Sequence, residues 1–471
     1  MDEQPNKEKK KKIAFIHLDL GIGGAERLVV NAAISLKNIG NDVIIYTSHH
    51  DPSHCFPETT GDGPLSGQVL VYGDWLPRQV LGRATVACAV LRMWYLSLVL
   101  LVHLLFGKLC LDAIMCDGVA ACVPLLQLGA PPVLFYCHFP DKLLCTERES
   151  FFKRLYRLPF DLLEDMTTAC SSKICVNSQF TAGVFQEAFP LSRRLHPQAD
   201  LAVLYPAIPL APLRTPATEI RAKDLKQGKL GPIVSINRYE RKKNIQLAIE
   251  ALAVMKQNLS EMEFQKLQLV IAGGYDPAVQ ENVEYFEELK NVAKKHCLEG
   301  KVIFKINVSD EERTTLLESA LCTVYTPDKE HFGIVPIEAM YFGSPVVAVA
   351  SGGPLESVDH PATGFLCEVT AESFGQAMLR LVKDPQLSVT MGKAGHTRVI
   401  ENFSLEAFGS SLQSLILEFE KAKNQTQKFK NVIRFSAFLG ALFGIFTALF
   451  LVLFLYDLVA SANFLQVSRQ H

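Results

Sequence analysis

Four charged residues stand at spacings suited to moving a group off a diphosphate. Arg238 and Lys243 follow the apolar run PIVSIN and bracket a short loop ahead of an amphipathic stretch. Two cations at the end of a strand can neutralise a diphosphate as negative charge grows on it, usually the largest single contribution in transfer chemistry. Arg241 and Lys242 between them read as a solvated basic turn. Farther on, Glu330 and Glu338 are separated by seven residues in EHFGIVPIE, across a loop-to-helix junction. Glu330 can accept hydrogen bonds from sugar hydroxyls, and Glu338, about one turn inside the helix, can take the two hydroxyls of a ribose. The N–H groups of Gly333, Ile334 and Val335 can meet phosphate or sugar oxygens. Two spaced glutamates are also common on a solvated surface; the apolar surroundings and the glycine in the loop favour a site.

Near the N-terminus Gly21-Ile22-Gly23-Gly24 lies between a strand and a helix, where backbone N–H groups and the helix dipole can face an anion with no Cβ in the way. A dinucleotide loop would carry G-x-G-x-x-G and an acidic residue ~20 positions later. Glu26 stands at the third glycine position, which counts against a nicotinamide-dependent oxidoreductase and leaves a plain tight turn as the other reading. No D-x-D pair occurs that could bring a divalent cation to a diphosphate, so neither a metal nor a cofactor is called for, and protein cations must serve. His50 and His54 flank Pro52 and read as a polar loop, not a helical metal pair. The twelve cysteines contain no C-x-x-C and fit reduced, mostly buried thiols.

Such chemistry needs a frame. The 471 residues are 49% hydrophobic, with a mean hydropathy of +0.16, enough for two large cores and a membrane segment. Lys and Arg number 47 against 49 Asp and Glu, a net charge of −2, so no global basic field exists to hold a nucleic acid. IAFIHL, DVIIYTS, DAIMC, VLFYCHF and KICVNS read as strands with helices between them; YPAIPLAPLRTP reads as a linker. PIVSINR, QLVIAGG, KVIFKIN, CTVYTP, PVVAVA and GFLCEV then form a second alternating series. The expectation is an α/β protein of two doubly wound, Rossmann-like halves facing across a cleft, where ligands of such sheets bind. The divisions fall at a basic arm 1–12, a first domain 13–205, a linker 206–228, a second domain 229–403 and a C-terminal helix 404–430. Ser309 with Glu312 makes a capping box, Pro336 suits a first helical turn and Gly343 its end.

Residues 435–456 run without a charge, long enough as a helix to cross ~30 Å of hydrocarbon. Lys421, Lys423, Lys428, Lys430 and Arg434 precede this C-terminal transmembrane helix, whereas Arg469 follows it, which places the long N-terminal part in the cytoplasm. Residues 84–106 are apolar but interrupted by Arg92 and His103. Crossing the bilayer there would separate strands of one sheet, so this helix either lies at the membrane interface, with Trp94 and Tyr95 suited to shallow insertion, or is an ordinary core helix.

GGAE in the first loop, R-x-x-x-x-K from Arg238, E-x7-E from Glu330 and SGGPLES from Ser351 together resemble the retaining GT-B glycosyltransferases of family 4. GDWLPR, FYCHFPD, VNSQFT, SINRYERKKN and TPDKEHFGIVPIEAM are most similar to the eukaryotic α-1,3/1,6-mannosyltransferases of dolichol-linked oligosaccharide assembly, over nearly all of 13–420. The resemblance implies GDP-mannose as donor and a mannosyl-chitobiosyl-diphosphodolichol acceptor. It implies α-1,3 and then α-1,6 transfer with retention, on the cytosolic face of the endoplasmic reticulum membrane, with other mannosyltransferases of the pathway as candidate partners. It assigns Arg238 and Lys243 to the diphosphate, Glu338 to the ribose, Glu330 to the donor sugar, and Gly23 and Gly24 to the acceptor side. His138 matches a position close to the transferred sugar; a satisfied core histidine is its other reading. A catalytically silent membrane scaffold that keeps the fold is the remaining alternative, against which stand the intact Arg238, Lys243, Glu330 and Glu338.

Overall fold

Runs such as IAFIHL and VVAV are apolar on both faces, the pattern of strands covered by helices on each side. The computed structural model describes residues 10–80, 84–107, 109–129, 131–144, 151–195, 201–208, 223, 227 and 229–422. The chain divides into two units, one of Met1–Asn177, Thr181–Leu204 and Phe408–His471, the other of Ser178–Phe180 and Tyr205–Ala407.

The first unit holds β1 (Lys12–Asp19), β2 (Asp42–His49), β3 (Val69–Val71), β4 (Ala113–Asp117), β5 (Val133–Cys137), β6 (Lys173–Val176) and β7 (Leu201–Val203). They form one parallel sheet in the order β3-β2-β1-β4-β5-β6-β7. The second unit holds β8 (Ile233–Ile236), β9 (Leu269–Gly273), β10 (Val302–Ile306), β11 (Cys322–Tyr325), β12 (Val346–Val349) and β13 (Gly364–Cys367), again parallel, in the order β10-β9-β8-β11-β12-β13. In each sheet the order reverses beside the unit's first strand, between β1 and β4 and between β8 and β11. Those are the points where loops at the carboxyl ends diverge and leave a crevice. The two Rossmann-like sheets agree with the sequence expectation. The three-residue edge strands β3 and β7 are additions to it.

Helix α1 (Gly24–Asn38) buries Leu28, Val29, Ala32, Ala33 and Leu36, an apolar stripe at helical spacing. Helix α2 (Thr85–Leu105) packs on the first sheet through the fully buried Met93, Leu96 and Leu100. Its Arg92 is buried and forms an ion pair with Asp19, Nη1 donating to Oδ2 at 2.9 Å. The opposite face exposes Leu91, Leu98, Val102 and Leu105, followed by Phe106. The helix therefore belongs to the core and also presents an apolar stripe outward. Trp94 is the correction. Its Nε1 donates to the carbonyl of Ala121 at 2.9 Å, so the ring turns inward and is not available for insertion.

The C-terminal helix Leu405–Ala422 belongs from Phe408 onward to the first unit. Leu412 and Ile416 are buried beside Ile13, Leu36 and Ala113, and Asn41 Nδ2 donates to Gln413 Oε1 at 2.9 Å. The segment 435–456 read from the sequence as transmembrane, most of the basic arm and most of the linker lie outside the described residues.

Candidate active site

In the second unit the cationic loop leaves β8 and the acidic loop leaves β11, so adjacent strands at the reversal point bring the two together. Lys243 Nζ lies 2.5 Å from Glu330 Oε2, with the side chains only 14% and 27% exposed. Thr326 Oγ1 fixes the lysine's backbone by donating to its carbonyl at 2.7 Å. The lysine's neighbours differ. Lys242 is 70% exposed and pairs with Glu240, and Arg241 is tied to Glu284 at 2.9 Å and Glu288 at 2.6 Å, so it clips the loop to the helix Gln280–Lys295. Arg238 is 69% exposed, its Nη1 3.2 Å from Glu240. Its stem crosses Gly274, where an added Cβ would sit 3.2 Å from Arg238 Cγ. An exposed guanidinium on a fixed stem can still turn toward an anion.

Glu330 is held from below by SGGPLES. The N–H of Gly353 donates to the Glu330 carbonyl at 2.8 Å, and Ser351 Oγ bridges Asp328 at 2.6 Å and the N–H of Lys329 at 2.9 Å. Gly352, at φ +61°, could carry no Cβ without striking the Glu330 backbone. The loop then enters the helix Ile334–Tyr341 through Gly333, whose φ of +80° suits glycine and whose absent Cβ leaves room for the Tyr325 ring. The first N–H groups of that helix, from Ile334 and Val335 onward, have no intrahelical acceptor and carry the positive end of its dipole. Glu338 follows within the same helix and pairs with Arg313. Burial raises the Glu338 carboxyl above its ordinary value, and Arg313 only partly offsets this. The structure thus groups Lys243, Glu330, Gly333, Ile334, Val335 and Glu338, with Arg238 at the exposed edge. Arg313 had no mark in the sequence beyond a charge inside a polar helix.

In the first unit three adjacent strand ends meet. His17 of β1, Asp117 at the end of β4 and His138 just past β5 form one hydrogen-bonded group. Asp117 is 1% exposed; its Oδ1 is 2.7 Å from His17 Nδ1 and its Oδ2 2.9 Å from His138 Nε2. Burial alone would raise the Asp117 carboxyl. The facing charge of His17 and the hydrogen bonds from both imidazoles prevail and hold it below the ordinary carboxylate range. For His17 burial pulls downward, but the charge and hydrogen bond of Asp117 win and the ring sits above its usual value. An ionised carboxylate only accepts, so both facing ring nitrogens carry protons. His138 is thereby anchored through Nε2 on a side chain 28% exposed, which leaves Nδ1 as the ring nitrogen not bonded to Asp117. The satisfied and the functional reading of His138 are compatible: one nitrogen is anchored, the other faces outward.

The GGAE loop reaches the same edge. Ala25 lines one cavity with His138. Gly23 is the N-cap of α1 in extended backbone, and the carboxylate of Glu26 occupies the space a Cβ there would need; around Gly24 there is open room. The acidic residue that breaks the dinucleotide fingerprint therefore covers the start of α1.

Two such sheets, each with its charged groups at the reversal point, define a GT-B glycosyltransferase. Residues 22–211 match Glycosyltransferase Family 4 and residues 216–398 match Glycosyl transferases group 1. The fold is similar to sucrose-phosphate synthase from Thermosynechococcus elongatus, with a TM-score of 0.62 at 20% identity over 88% of this chain and 100% of the other. In sequence the chain is 45% identical to alpha-1,3/1,6-mannosyltransferase ALG2 of Homo sapiens, covering 88% of this chain and 98% of the relative. It is 41% identical to the ALG2 of Dictyostelium discoideum, covering 87% and 98%. The chain belongs to this family of α-1,3/1,6-mannosyltransferases. It is a membrane-associated enzyme that takes a nucleotide-sugar donor and a glycan acceptor. Neither the oxidoreductase nor the silent scaffold is supported.

Proposed function

We propose that the donor is GDP-mannose and the acceptor a mannosyl-chitobiosyl-diphosphodolichol, extended first through an α-1,3 and then an α-1,6 linkage on the cytosolic face of the endoplasmic reticulum. The observation that carries this reading is the Lys243–Glu330 pair at 2.5 Å on the loop feeding the helix Ile334–Tyr341. It sets a cation for the diphosphate beside a carboxylate for the hexose, next to helix N–H groups that favour anions. Lys243 and Arg238 neutralise the departing diphosphate, Glu330 grips mannose hydroxyls and Glu338 takes the ribose. Gly23 and Gly24 leave space on the acceptor side, and His138 contacts the transferred sugar through Nδ1.

Transfer with retention asks little more of the protein. The acceptor hydroxyl forms its bond to the mannose anomeric carbon on the face from which the phosphate oxygen departs, and the hydroxyl proton passes to that oxygen. The side chains supply charge and orientation, with no covalent nucleophile. Titration calorimetry of GDP-mannose into the full chain, followed by a transfer assay with linkage analysis of the product, tests the proposal. Binding and both linkages are expected. A folded sample that takes up no GDP-mannose would refute it.

A further inference from the structure

A ribose diol asks two things of a carboxylate such as Glu338, accepting oxygens and a fixed direction. Both hydroxyls donate, and an ionised carboxylate only accepts; once protonated, it turns one of its oxygens into a competing donor. The surroundings of Glu338 work against ionisation. Burial raises the carboxyl, Arg313 opposes this through its charge and its hydrogen bond, and Asp310 pushes the carboxyl up again.

Arg313 stands one turn inside the helix Asp310–Ser319, whose start is fixed by the capping box of Ser309 with Glu312. From there its Nη2 donates to Glu338 Oε2, between side chains 32% and 22% exposed. Among the described residues Glu338 is the one side chain this guanidinium engages, and the Nε–H is buried without an acceptor. A buried donor left unmet destabilises a fold, so the contact with Glu338 is what the placement of this arginine achieves. Other ionisable groups packed against the helix of Glu338 have their own partners or stay neutral. Burial keeps the Tyr325 phenol of β11 neutral, and Glu356 accepts the N–H groups of Gln179 and Phe180 at 2.7 Å and 2.9 Å. From the helix Pro385–Phe403, His396 Nδ1 lies 2.6 Å from the Tyr341 carbonyl, and Arg398 donates to the carbonyls of Ser357 and Glu356. We propose that Arg313 is a positioning residue for the donor: it holds Glu338 Oε2 and presents the carboxylate to the ribose hydroxyls. Recognition of the 2′-hydroxyl then depends on a side chain that acts only through Glu338. The proposal rests on the ribose role given to Glu338 above and extends it to the residue that sets it.

The test is titration calorimetry of the full chain with GDP and with 2′-deoxy-GDP from pH 6 to 9. Wild type should prefer GDP by about tenfold or more, the factor carried by a hydrogen bond to a charged group. Arg313→Met raises the Glu338 carboxyl further, so its preference should fall to about threefold at the acid end, as for a neutral pair. The preference should recover only at a higher pH than in wild type. Arg313→Lys, which keeps the charge, should bring the pH course back. In the transfer assay Arg313→Met should raise the KM for GDP-mannose about tenfold and leave kcat within about twofold, since the ribose contact is the same in the ground and transition states. Arg313→Gln, which retains a donor, repeats the series should the methionine variant not fold. A preference and pH course that match wild type in the folded variant overturn the proposal. Equal losses for both nucleotides at every pH overturn it too, because a residue that merely supports the fold does not distinguish one hydroxyl. Should wild type itself bind GDP and 2′-deoxy-GDP alike, the ribose role of Glu338 fails and takes that of Arg313 with it.

Discussion

Replacing Asp117 by Asn keeps the shape of the side chain and removes the charge that two imidazoles share. The carboxylate is 1% exposed and bonded at 2.7 Å and 2.9 Å, so water cannot substitute for it. Hydrogen bonds to a charged group contribute roughly 1.5–3 kcal/mol each. The amide can still accept from one ring, but it meets the other donor to donor unless that ring changes tautomer. The expected loss is about 2–3 kcal/mol, or several degrees in Tm for units of this size. The pH profile makes the claim specific. Asp117 is depressed in the fold, so its contribution is present above the ordinary carboxyl value of 3.8 and fades as the pH falls below it. His17 is raised, so its contribution is complete below the ordinary imidazole value of 6.5 and fades as the pH climbs through the higher folded value. The gap between wild type and variant should therefore be widest between those two values and narrow on either side. Urea titrations at half-unit steps from about pH 2.5 to 8.5 measure it, with mannose transfer followed in parallel over the neutral part of that range. Loss of the anchor on His138 Nε2 should lower kcat by ~10²-fold, within the range for misaligned proton-handling histidines. Stability curves that run parallel within 0.5 kcal/mol, roughly the scatter of neutral surface substitutions, would show that the three residues do not act as a unit.

Two further outcomes follow from the same geometry. Lys243→Ala should reduce kcat by about 10²- to 10³-fold, as removing one electrostatic donor commonly does. Lys242→Ala, at a side chain 70% exposed, should change it less than about threefold, and equal effects in a side-by-side transfer assay would undo the assignment. The sequons at Asn258, Asn307 and Asn402 sit on exposed positions. On the cytosolic side they should remain bare, and a mobility shift on endoglycosidase treatment of the microsomal protein would place the second unit in the lumen.

The long parallel strands were legible because each is a short apolar run between helical stretches, and ten or more such alternations leave few other architectures. β3 and β7 were not, since three residues cannot establish a period. The donor-side residues could be read as loop chemistry, because cations after β8 and acids after β11 are close in sequence to a strand end. His17 and Asp117 could not. Each is a polar residue near the end of an otherwise apolar run, 100 positions apart, and only the β1–β4 pairing makes them neighbours. SGGPLES was visible as a motif, but its task of holding Glu330 appears only when Gly352 and Gly353 are seen against that backbone. Trp94 misled because an aromatic ring on an apolar helix looks suited to lipid, and nothing in its spacing reveals the carbonyl of Ala121.

Because Leu412 and Ile416 close over Ile13, Leu36 and Ala113, a patch on the first unit's sheet is completed by a segment made long after the sheet itself. During synthesis that sheet, whose last strand ends at Val203, must wait with the patch uncovered until about two hundred further residues have left the ribosome. An apolar patch left bare through that interval invites aggregation, and a fragment excised before Leu405 would keep the same bare patch permanently.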